Sequence, residues 1–246
     1  VFKERAITFA QLLDALQRDF QGDEALQARL MNPEKTPKWG NENAAADANV
    51  AWIIQMLDEV YAALKNYRGG RYRVGYWTMT NHAGYGHLMG ALPSGRKAHE
   101  NFTSGFTPVS GVTPWLTPAL NSVAAMPAQH LASGVAFNVK FTPSAPPDNE
   151  QMLDNFTAAV AAYFQGRDSR AGETGGMEIQ FNVTRRETFV DAMRNPEAHP
   201  ELLVRVSGYT AYFKDLNPQM QKEILERTEY ELSTGTAVTC APVRLA

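Results

Sequence analysis

Large apolar residues alternate with small or polar ones over two stretches of this chain. Val135, Phe137, Val139 and Phe141 alternate with Ala136, Asn138, Lys140 and Thr142. Further on, Met177, Ile179, Phe181 and Val183 alternate with Glu178, Gln180, Asn182 and Thr184. A period of two makes each stretch a β-strand with one apolar and one polar face. Between them, over 149–165, Met152, Phe156, Val160 and Phe164 recur at helical spacing. Strand, helix, strand predicts a βαβ unit of a parallel sheet. A short helix over 187–193 and another alternating run, Leu202, Val204 and Val206, follow.

Upstream the pattern is helical. Thr8 and Gln11 form a capping box for a helix reaching about Phe20. Val50, Ile53, Ile54, Leu57, Val60, Tyr61 and Leu64 predict a stronger helix that ends before Gly69 and Gly70. Residues 32–43 read as a surface connection. Residues 71–118 are rich in Gly and Pro, too punctuated for a long helix, and long ordered loops of this kind are often functional. With helices on the apolar faces, the polar strand faces need water or reactive surroundings. A closed barrel with a polar lumen supplies them, as does a half-exposed sheet.

Composition narrows the function. The 246 residues suit one large or two small domains, and 44% hydrophobic with 20% charged residues is the globular range. A net charge of -3 without a basic block argues against nucleic-acid binding. The one cysteine, Cys240, excludes an internal disulfide framework and a Cys-rich metal site, and with no signal-peptide pattern it suggests the cytoplasm. The longest nearly apolar stretch, 156–164, is too short to span a membrane. No metal is expected, because His82, His87, His99 and His130 lack the spacing of a closed site. His82 and His87 are instead candidates for lining a pocket. The chain starts at Val1, so a start Met was removed or an upstream portion is missing.

The most informative segment is Arg205-Val206-Ser207-Gly208-Tyr209, with Tyr212 and Phe213 close behind. Gly208 follows a strand and precedes a helix over 217–228, which puts it at a loop tip. Taken alone, it is a turn glycine with positive φ. In context, the segment resembles the radical signature of the glycyl radical enzymes, the superfamily of pyruvate formate-lyase and the glycerol and diol dehydratases. Residues 219–228 resemble that family's Leu-Gln-x-x-Ile-x-x-Arg-Thr ending. Residues 91–98 resemble its Pro-Gly-Arg turn, with Ser94 in place of the usual acidic or amide residue, and residues 119–124 its Ala-x-x-Ser-Val helix. The motifs keep the family's order over nearly the whole chain.

The resemblance implies an α/β fold, the C-terminal half of a ten-stranded α/β barrel with Gly208 on a loop inside it. Residues 1–70 would be a helical segment packed outside, and residues 71–246 the half-barrel with its glycine radical domain. No bound cofactor is implied. A radical S-adenosylmethionine activase would install the radical on Gly208, reading the loop through Arg205, Val206, Ser207 and Tyr209. Asn138, Gln180 and Asn182, with Lys140 and Glu178, would face the lumen, and Lys222, Glu223, Glu226 and Arg227 would form a solvated helix face.

In the family the radical passes to a cysteine on an upstream loop, followed in dehydratases by a glutamate two residues on. This chain has no Cys-x-Glu, and Cys240 follows Gly208 in the wrong order, as a plain thiol in the tail. The implied partners are therefore an N-terminal part or large subunit carrying that Cys and Glu, the activase and a small-molecule substrate. The implied function is the radical-bearing part of an anaerobic lyase or dehydratase. Alternatives are part of a formate acetyltransferase-type enzyme, or a stand-alone glycyl radical replacement protein.

Overall fold

The computed structural model describes residues 6–113, 115–143, 149–165 and 175–232. Its first half is helical: α1 (Phe9–Gln17), α2 (Glu24–Met31), α3 (Ala44–Ala62), α4 (Asn81–Leu88) and α5 (Leu116–Ala124). Strand β1 (Phe137–Pro143), α6 (Glu150–Gln165) and β2 (Ile179–Asn182) then form the expected βαβ unit. After α7 (Arg186–Arg194) come the short strands β3 (Leu203–Arg205) and β4 (Thr210–Tyr212), α8 (Pro218–Glu226) and β5 (Glu229–Leu232). Cys240 lies outside the described residues.

The main sheet runs β2-β1-β5, all parallel. Asn138 is in register with Gln180, and Lys140 with both Asn182 and Glu229. Polar residues of neighbouring strands therefore stack on one face and apolar ones on the other. The apolar face of Phe137, Val139, Phe141, Ile179 and Phe181 packs under α5 and α6, which contribute Leu116, Leu120, Val123, Met152, Phe156 and Tyr163. Phe141, Phe156 and Phe181 meet as a triangle of rings with centroids 5.1–5.6 Å apart.

The polar face is covered as well. Against it lie α7, α8 and the β3–β4 hairpin, which share a second core of Phe189, Ala192, Val204, Val206, Phe213, Met220 and Ile224. The run Leu202, Val204, Val206 thus joins β4 in an antiparallel pair rather than extending the parallel sheet. Strand β5 has no counterpart in the alternation pattern, since Thr228 to Leu232 carries too few apolar residues to stand out.

At the N-terminus the Thr8 capping box forms, with Gln11 N donating to Thr8 Oγ1 and Thr8 N to Gln11 Oε1. Helix α3 starts at Ala44, six residues before the apolar pattern, because Asn43 Oδ1 caps the Ala46 amide at 3.2 Å. Helix α2 is invisible to periodicity because it buries no residue. Residues 32–43 are more than a surface connection: Trp39 packs edge-on against Phe106 at 4.9 Å, and Gly40 is buried. Within the Gly-rich stretch, Gly95 takes φ +95° in the 92–96 turn and Arg96 turns inward onto the carbonyls of Gly86, Gly90 and Glu100. No helix among the described residues is long and apolar enough to cross a membrane.

Candidate active site: the Gly208 hairpin

Gly208 stands at the tip between β3 and β4, with φ +84°. Val206 N donates to Tyr209 O at 2.9 Å and closes the turn. Positive φ is why a glycine suits this place on conformational grounds alone. In the direction a side chain would take from Gly208, no described atom beyond its two chain neighbours lies within 4 Å. One α-hydrogen therefore faces open space, although Val206 and Ser207 beside it are buried.

The hairpin is seated by side chains rather than by a β-ladder. Asn182 Nδ2 donates to Arg205 O and Arg205 N donates back to Asn182 Oδ1, both at 2.8 Å. A carboxamide imitates a peptide group in this arrangement and so substitutes for a neighbouring strand. One register step away, Gln180 Oε1 accepts the Gly208 amide at 3.1 Å, while Gln180 Nε2 donates to Glu178 Oε1. Asn138, Lys140, Gln180 and Asn182 are each at most 5% exposed. The polar strand face is thus a buried cradle, not a solvated one. Asn182→Ala should cost about 2 kcal/mol, since both bonds go and the Arg205 amide is left without a partner. Chemical denaturation would measure this, against a near-zero change for Val183→Ala on the exposed neighbour.

From the other side, Arg227 Nη1 donates to Arg205 O at 3.0 Å and Nη2 to Val206 O at 2.7 Å. Glu223 grips the same guanidinium through both oxygens, at 3.0 and 2.8 Å. Glu223 and Arg227 are 7% and 6% exposed, so this part of α8 is buried rather than the solvated face its charges suggest. Lys222 and Glu226 remain outside, paired at 3.6 Å. Burial pushes the Glu223 carboxyl up, but Arg227 and His82 outweigh it and hold the group below the usual glutamate value. Lys140 reaches Leu225 O at 3.2 Å and Glu229 at 3.3 Å, and burial pulls its ammonium below the lysine norm despite Glu229.

The remaining sequence candidates separate. His82 is buried beside Glu223, whereas His87 is exposed, with its ring 5.5 Å from that of His99. Both line an open cleft of about 2150 Å³ between α4 and α8 that does not include Gly208. Arg205 Nη1 braces the hairpin across the strands on Thr210 Oγ1 at 2.9 Å, and Tyr209 is half-buried against the second core. Sequence reasoning missed Gly105. It takes φ +59°, and a Cβ there would run into Ala136 O and approach Asn138 Nδ2 and Ser207 Oγ. Ser207 Oγ and Asn138 Oδ1 are buried and without a hydrogen-bond partner among the described residues. No cluster of three or more metal-ligating side chains occurs among those residues.

Two family models match the chain: one described as glycine radical over residues 102–214, the other as pyruvate formate lyase-like over residues 1–86. The chain is 34% identical to the probable dehydratase YbiW of Escherichia coli over 242 residues, 94% of the chain and 28% of that protein. It is also 34% identical to trans-4-hydroxy-L-proline dehydratase of Clostridioides difficile, over 93% of the chain and 28% of the relative. Among solved structures, the glycerol-bound B12-independent glycerol dehydratase of Clostridium butyricum superposes with a TM-score of 0.84 at 33% identity, covering 93% of this chain and 28% of its own. The chain thus spans little more than a quarter of the length of these relatives.

Proposed function

This chain belongs to the glycyl radical enzyme superfamily, and from that premise we propose that Gly208 is its radical carrier. An α-carbon radical is stabilised by sharing its electron with the amide nitrogen on one side and the carbonyl on the other, which needs a flat centre. A side chain would clash with the adjoining peptide groups as the centre flattens, and glycine has none. The observation that carries the reading is the seat of Gly208: its amide is tied to Gln180, the strand before it to Asn182 and Arg227, and one α-hydrogen faces open space. A radical S-adenosylmethionine activase would remove that hydrogen, recognising the loop through Arg205, Val206, Ser207 and Tyr209. The Gly208 radical would then take the hydrogen of a cysteine thiol, and the resulting thiyl would attack the substrate.

That cysteine, with a glutamate two residues on as acid/base, would come from a part of the enzyme outside this sequence. Its loop would approach the open side of Gly208. Residues 71–246 would contribute their share of the barrel and residues 1–70 a helical layer outside it. Helix α3 exposes Trp52, Ile53, Val60 and Tyr61, an apolar surface that suits burial against further protein. The names of the relatives favour elimination of water from a small hydroxylated substrate, in an anaerobic cytoplasm. The chain combined with a Cys-x-Glu-bearing part and the activase should elute as one complex and dehydrate small polyols or hydroxylated amino acids, whereas the chain alone should aggregate and turn over nothing. Dehydration by the isolated chain would contradict this division of labour.

A further inference from the structure

Glu223 and Arg227 sit four residues apart, as in an ordinary helix-surface ion pair, yet both are buried. Burying such a pair brings little net stability by itself. What is specific here is where the guanidinium points. Four of its donor contacts are accounted for: two on Glu223 and one each on the carbonyls of Arg205 and Val206, at the end of the strand that runs through Ser207 to Gly208. A planar fork held by a carboxylate can serve two carbonyls at once in a fixed geometry, and a lysine cannot.

The contacts continue behind Glu223. His82 Nε2 lies 3.5 Å from Glu223 Oε2, and His82 Nδ1 lies 3.2 Å from Thr78 Oγ1. Thr78 Oγ1 accepts the Gly105 amide at 2.9 Å. With the Thr78 O–H donating to Nδ1, the Nε2 hydrogen lies on the Glu223 side, in a charge contact at 3.5 Å rather than a hydrogen bond. Gly105 in turn rests against Ser207, where a Cβ would come 3.2 Å from its Oγ. The row therefore leaves one loop, crosses α4 and α8, and returns to the hairpin beside Gly208.

We propose that His82 and Glu223 are positioning residues that act through Arg227 as a buried latch on the Gly208 hairpin, fixing the strand end two and three residues ahead of the radical carbon. The proposal deepens the reading of Gly208 as radical carrier and rests on it for its meaning in catalysis. It differs from a purely structural ion pair in what it predicts. Loosening the fork should free the hairpin and leave α8 in place, because α8 keeps Met220 and Ile224 in the second core.

Hydrogen–deuterium exchange read by mass spectrometry tests this on the full chain assembled with its Cys-bearing part. Arg227→Lys and Glu223→Gln should each speed exchange of the 206–209 amides by about tenfold or more. Their combination should add little, since both act on one guanidinium. His82→Phe should give the same pattern more weakly, and exchange over 218–224 should not change in any of them. In the activated complex, Arg227→Lys should also shorten the anaerobic lifetime of the radical signal several-fold. Unchanged exchange at 206–209, or fraying of α8 in its place, would overturn the latch. Absence of a radical signal in the parent would instead overturn the reading of Gly208, and the exchange data would still decide the latch.

Discussion

Gly208→Ala is expected to abolish the organic-radical signal completely while the chain still folds and assembles. The added methyl meets open space, so the cost is conformational: an alanine at φ +84° loses roughly 1–2 kcal/mol, within reach of a folded domain. Radical formation should fall to nothing, because a substituted centre cannot flatten between its two adjoining peptides, one of which Gln180 holds through the residue 208 amide. Electron paramagnetic resonance after anaerobic activation, with a melting curve on the same sample, separates loss of the radical from loss of the fold.

Gly105→Ala should be the more damaging change to structure although it lies outside every motif. Its Cβ would run into the Ala136 carbonyl at the start of β1, which the adjacent Phe106 amide already uses at 2.8 Å. Backbone cannot step aside as a flexible side chain does. Overpacking and positive φ together should cost about 2–4 kcal/mol. The displacement should also reach Ser207 and so the hairpin. Denaturant melts would show the first effect, and a reduced radical yield at a temperature where the variant is still folded would show the second. A variant as stable as the parent would mean that the two loops are not in close contact.

What could be read from the chain and what could not follows from the range of the interactions. The βαβ unit was legible because Phe137, Val139 and Phe141 have their partners on the same face of one sheet, and alternation encodes that directly. The family was legible because the Gly208 segment is contiguous. Strand β5 and the β3–β4 pairing were not, since short strands of mixed polarity acquire their state from the neighbours they meet. The burial of Glu223 and Arg227 was misread for a related reason: charges four apart look like a solvated face until the carbonyls of Arg205 and Val206 are known to lie opposite them. Gly105 carried no signal, because its constraint comes from Ala136, Asn138 and Ser207, distant in sequence.

The assignment of the radical to Gly208 is tested most directly by where oxygen cuts the chain. A glycyl radical adds dioxygen at its α-carbon, and breakdown of the adduct severs the main chain there. The complex is activated without air, its doublet recorded with ordinary and with α-deuterated glycine incorporated, and the sample then opened to air and weighed by mass spectrometry. The doublet should collapse on deuteration, air should yield a C-terminal piece starting at the Gly208–Tyr209 junction, and Gly208→Ala should give neither signal nor cut. A doublet that persists in the alanine variant, or a cut at any other residue, would contradict the assignment to Gly208.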